Sequence, residues 1–251
     1  LKLSYDDIDR IAENELIRFT GGLVRQERSI KPTAIENLAM HYLGLRIIYT
    51  RLSNDGQTLG ITTYADTDIK LNRYCRAETI HVLKDTILLD ECLKESQDWQ
   101  HSELGRRRFT IAHECAHQIL YRMESENRQT ELEQQYSART FSLREMKTLD
   151  SWSEWQANAM AAALLMPKKY IALMLNDRRI NFYGRRLNRP DRFIFDSMCY
   201  RFKVSKTAMK LRLRQLGYAK FLTELEYYDP LDIFNDNDFG TDAVNGEMAY
   251  G

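Results

Sequence analysis

Apolar and polar positions change their period along the chain. Ile8, Ile11, Leu16 and Phe19 recur at helical spacing behind Ser4 and Asp7, which predicts a capped helix that Gly21 and Gly22 end. A second helix is predicted from Pro32, with Ile35, Leu38, Ala39 and Leu43 inward and Gly44 closing it. The period then shortens. Residues 45–51 read as a strand, Ser53, Asn54, Asp55 and Gly56 as a turn, and 60–64 as the hairpin partner. Residues 79–83 and 86–90 read as two more short strands around Lys84 and Asp85, which predicts a small antiparallel or mixed sheet.

Helical spacing returns at Ser102, a candidate cap for a long helix running to about Tyr121. Residues 122–150 are polar with weak periodicity and read as a mobile or partly helical insertion. Residues 152–166 form a second strong helical pattern, bounded by Pro167. Residues 168–220 read as further helices, broken near Gly184 and Pro190. The predicted class is α+β. It divides into residues 1–121 (helices, sheet and long helix), the insertion 122–150, a helical part 151–222 and a tail 223–251.

Composition adds limits. Hydrophobic residues make up 43% of 251, ordinary for a globular protein, and no run approaches a membrane span. The first residues lack the basic-then-apolar layout of a signal peptide. Cys75, Cys92, Cys115 and Cys199 are scattered without a CxxC pair, as expected of reduced thiols in a cytoplasmic protein. The net charge is zero but unevenly placed. Residues 168–220 are rich in Arg and Lys, including Arg189, Arg192, Lys210, Arg212 and Arg214. After Lys220 there are acids and no Lys or Arg. The basic segment reads as a solvated face or one that meets an acidic partner. Contact with nucleic acid is possible but not favoured, because Leu211, Leu213 and Leu216 alternate with the charges as packing positions. Tyr227, Tyr228, Phe234 and Phe239 make the tail too apolar to be purely solvated, so docking on the basic segment is one expectation and disorder the other.

The chemistry concentrates in the long helix. His113-Glu114-Cys115-Ala116-His117 fits HExxH, and imidazoles at i and i+4 lie on one helix face, where they can converge on one metal ion. Glu114 is placed to take a proton from water rather than to ligate. Phe109, Ile111, Ala112, Ala116, Ile119 and Leu120 make the surrounding helix a buried one. Burying two histidines and a glutamate there costs free energy unless a metal satisfies them. A catalytic zinc needs a third protein ligand and an open position. Glu154 is the best candidate, with Asn158 one turn on to hydrogen-bond a ligand imidazole.

The runs Arg108-Phe-Thr-Ile-Ala-His-Glu-Cys-Ala-His117 and Glu154-Trp-Gln-Ala-Asn-Ala-Met-Ala-Ala-Ala-Leu-Leu-Met-Pro167 together resemble the ImmA/IrrE family of bacterial zinc metallopeptidases. The stretch from Arg201 to Gly217 looks like that family's C-terminal helices. The resemblance implies a zincin-like (gluzincin-like) fold, a Zn2+ ion on His113, His117 and Glu154, and Glu114 as the catalytic base. It also implies a helix-turn-helix repressor as protein substrate. The alternative is a non-catalytic, zinc-containing anti-repressor or antitoxin-linked partner. Cys115 stands where the family more often has an aliphatic residue, and is expected to face the core. The strand 86–90 is a candidate for pairing with extended substrate. Tyr121, His81, His101 and Tyr170 are candidate oxyanion stabilisers.

Overall fold

The computed structural model describes residues 3–23, 26–53, 58–73, 76–94, 101–137, 141–142, 151–183 and 186–221. Helix α1 (Tyr5–Thr20) opens on a reciprocal cap: the Ser4 hydroxyl accepts from the Asp7 N–H at 3.2 Å, and the Asp7 carboxylate accepts from the Ser4 N–H at 3.1 Å. It ends where Gly21 turns left-handed at φ 74°. The second helix is shorter than expected. α2 (Ile35–Asn37) runs on as a π-helical turn, Leu38–Tyr42, and Pro32 lies outside it. Ile35, Leu38, Ala39 and Leu43 are inward, as their spacing predicts.

The first sheet holds β1 (Arg46–Tyr49), β2 (Gly60–Thr63) and β5 (Thr86–Leu89), in the order β1-β5-β2. β5 runs parallel to β1 and antiparallel to β2, so the expected hairpin between the first two strands is not formed. The reason is burial. All four β5 residues are buried, whereas β1 is exposed at alternate positions, so the most apolar strand takes the centre. With both its edges paired, β5 is also excluded as the strand that adds substrate. Among the described residues both outer strands, β1 and β2, leave one edge unpaired, and β2 is the one that packs closely on α3. Asp90 N–H donates to Leu59 C=O and Asp85 N–H to Thr63 C=O, so the odd-numbered residues of β2 face β5. The backbone groups of Gly60 and Thr62 therefore point to the open edge.

A second sheet pairs β3 (Thr67–Arg73) with β4 (Arg76–Val82) as an antiparallel hairpin, and β6 (Phe141–Ser142) joins β3 in parallel. β3 is unheralded in the pattern, because its buried face pairs the polar Thr67 with only two apolar residues, Ile69 and Leu71. A third sheet, of β7 (Ile180–Tyr183), β8 (Arg186–Leu187) and β9 (Ala219–Phe221), lies in the stretch read as all helix. There Ile180 and Phe182 alternate into the core.

The helices beyond the sheets are α3 (His101–Arg122), α4 (Glu126–Ser137), α5 (Ser151–Leu165), α6 (Lys168–Leu175), α7 (Arg189–Phe202) and α8 (Lys206–Gln215). Pro190 does not break a helix. It sits in the first turn of α7, where its missing N–H has no intrahelical partner to lose. α4 gives the polar insertion a real helix, anchored by buried Leu132 and by Glu133, which accepts from the Tyr121 hydroxyl at 2.6 Å. No helix among the described residues is long and apolar enough to cross a membrane.

α5 is buried on every side, with Ala157 and the whole run from Ala159 to Leu165 inside, and it packs between α1 and α3. Its alanines let the neighbouring backbones come close. Arg212 of α8 is an exception to the reading of the basic segment as a solvated face, a reading that the exposed Arg189, Arg192, Lys203 and Arg214 fit. Arg212 is 1% exposed, ion-paired with Asp9 of α1, and donates to the Met166 carbonyl just past α5. A long side chain reaching through the core to an acid explains why a charge occupies this inward position. Main-core residues Ile87 and Leu89 lie on one face of β5 and Leu88 on the other, in a smaller cluster with Ile61, Tyr64, Ile69 and Leu71. The first sheet is thus the wall between the two cores.

Candidate metal centre

α3 and α5 bring three side chains together. His113 and His117, one turn apart on α3, are 6% and 7% exposed, with their rings edge to face at 4.6 Å and their Nε2 atoms 3.0 Å apart. Glu154, in the first turn of α5, sets Oε2 3.3 Å from His113 Nε2 and Oε1 3.3 Å from His117 Nε2. One ligand atom from each residue lies within 4.8 Å of the others. Burial pushes the Glu154 carboxyl up, but hydrogen bonds to the two imidazoles outweigh it and hold the group well below the usual carboxylate range. Two imidazole nitrogens and a carboxylate converging in a largely buried place need a cation, or protons, between them. The donor set fits a divalent metal ion, and Glu154, 35% exposed at its side chain, leaves the group open toward solvent.

Glu114 is buried beside this group, at 5% exposure. Its position depends on a residue that the sequence reading passed over as a mere strand start. A Cβ added to Gly60 would stand 2.6 Å from Glu114 Oε1 and 2.8 Å from Thr110 Cγ2. The edge strand therefore lies directly against the carboxylate, and any side chain at residue 60 would force Glu114, Thr110 or the strand to shift. A glycine opening a strand pattern is a signal of such close approach. Gln118 is the second residue missed. Its amide donates to Thr62 Oγ1 at 2.7 Å and to the Thr63 carbonyl at 3.0 Å, locking α3 to β2 one residue after His117.

The other expected residues fall differently. Asn158 is buried one turn after Glu154, but neither of its amide atoms has a hydrogen-bond partner among the described residues, so the expected bond to an imidazole is not formed. Cys115 is fully buried in the main core, and burial pushes its thiol up, as suits a small apolar filler. Tyr121 stacks on Tyr64 and gives its hydroxyl to Glu133. His81 pairs with Asp68 on the exposed side of the second sheet at 2.8 Å. Tyr170 is a core residue of α6. The His101 side chain lies outside the described residues.

The pattern that defines the IrrE N-terminal-like domain, a peptidase family, matches residues 42–214. The chain belongs to this family. The match runs from Tyr42, the end of the π-helical turn after α2, into the last turn of α8, and takes in both helices that carry the candidate ligands. It makes the protein a member of a metallopeptidase family, in keeping with the His113, His117 and Glu154 group that could hold a metal ion. No curated protein matches the chain.

Proposed function

We propose that the protein is a zinc-dependent endopeptidase of zincin-like fold that cleaves a helix-turn-helix transcriptional repressor inside the cell. The observation that carries the reading is the convergence of His113, His117 and Glu154 beside a buried Glu114. His113, His117 and Glu154 would hold the zinc, which supplies Lewis acidity to the scissile carbonyl and lowers the pKa of water toward about 7. Glu114 accepts the proton of the attacking water and delivers it to the leaving amine. Its buried place against Gly60 keeps it from swinging away.

The substrate binds as an extended segment along the open edge of β2, where the backbone groups of Gly60 and Thr62 pair with it. This suits a linker or loop of the repressor rather than a folded helix. Gln118 keeps that edge in register with α3. Asn158 is assigned to orienting a ligand imidazole when the metal is bound, which would satisfy an otherwise costly buried amide.

The test is incubation of the purified, zinc-loaded protein with helix-turn-helix repressors from its own genome. Discrete fragments are expected, lost on chelation and restored by zinc. A repressor released from its operator while remaining intact would replace this reading with stoichiometric anti-repression.

A further inference from the structure

Two of the most exposed aromatic side chains lie on one stripe of α7. Phe193 is 78% and Tyr200 76% exposed, and a spacing of seven residues puts them on the same face, about 20° apart. Large apolar side chains this far out of the core, aligned two turns apart, mark a surface that something covers. The rim of the stripe is basic. Arg189, one turn before Phe193, Arg192 beside it and Lys203 just past the helix are all exposed. Asp196, the acid on this face, is held by Lys206 at 3.6 Å.

The described chain ends close to this helix. β9 stops at Phe221, in register with Phe182 of β7, and the Phe182 ring packs edge to face on Phe195 of α7 at 5.5 Å. Residues 222–251 follow. They carry Glu224, Glu226, Asp229, Asp232, Asp236, Asp238, Asp242 and Glu247 with no Lys or Arg, and Tyr227, Tyr228, Phe234 and Phe239 among them. Seven residues of extended chain span roughly 23 Å, more than the roughly 10–12 Å thickness of a helix, so Tyr227 and Tyr228 can reach the outer stripe.

We propose that the acidic, aromatic segment 222–251 docks in cis on the outer face of α7, with its rings on Phe193 and Tyr200 and its carboxylates between Arg189, Arg192 and Lys203. The charge pattern selects this occupant. A second copy of α7 would bring the same cations together, whereas the segment brings only acids. Rings supply the contact area and the ion pairs the orientation, because exposed pairs alone hold weakly.

Endoproteinase Asp-N provides the test, since the segment holds five Asp sites and its cleavage can be timed by mass spectrometry. The full chain is compared with Phe193→Ser/Tyr200→Ser and with Arg189→Glu/Arg192→Glu, each checked for an unchanged melting temperature. Cleavage within 222–251 is expected to be roughly tenfold faster in both variants than in the wild type, and the wild-type rate to be independent of protein concentration, as for a locally opening contact. Equal rates in all three proteins would overturn the proposal. So would acceleration of the wild type on dilution, which would assign the stripe to contact between copies.

Discussion

A carboxylate and a missing side chain share one place in this protein: Glu114 fills the space that any Cβ on residue 60 would take. Gly60→Ala must move either the edge strand or the Glu114 carboxylate by several tenths of an ångström or more. Cleavage is expected to fall by roughly tenfold or more, since small misplacements of a reacting group cost rates of that order and above. Zinc content should stay unchanged, because the candidate ligands lie elsewhere. Parallel rate and elemental measurements on the variant check this, and unaltered cleavage would remove Gly60 from the account. The helix that carries the candidate ligands was legible at this scale because HExxH puts the histidine and glutamate side chains within one turn. Glu154 was legible through its company in the second helical run. Gly60 lies more than fifty residues before Glu114, and nothing local in its strand tells what packs on it.

At the scale of elements, the site depends on how closely α3 and α5 approach. Ala161 lies two turns after Glu154 on the same face of α5 and is fully buried. Ala161→Leu would overpack this layer, with an expected loss of about 1–3 kcal/mol and weaker metal binding as Glu154 is pushed from the imidazoles. Urea titrations with and without zinc measure both effects, and a variant as stable and as avid as the wild type would contradict the packing argument. Helices with strong periodicity, such as α1, α3 and α5, were readable from spacing and caps. The β1-β5-β2 order was not, because pairing partners are chosen by burial across the whole sheet rather than by the turn between neighbours. β3 and β7 were missed for a related reason: each is buried through only two alternating apolar residues, Ile69 with Leu71 and Ile180 with Phe182.

In the whole molecule, the Arg212–Asp9 pair joins the last described helix to the first, and Arg212 also bonds the carbonyl of Met166 beyond α5. Arg212→Met alone should cost about 3–5 kcal/mol by stranding the Asp9 charge, while Asp9→Leu with Arg212→Met should recover most of it. A double-mutant cycle by denaturant unfolding reads the coupling directly, and additive losses would show that the pair acts as two independent side chains. The proposed activity requires a metal-holding group and an adjacent base. Its most direct test is Glu114→Gln, with zinc content and repressor cleavage measured on the same preparations. About one zinc per chain is expected in both proteins, with cleavage reduced by at least about 10²-fold in the variant, since an amide cannot accept the proton. Cleavage at the wild-type rate by zinc-loaded Glu114→Gln would contradict this requirement.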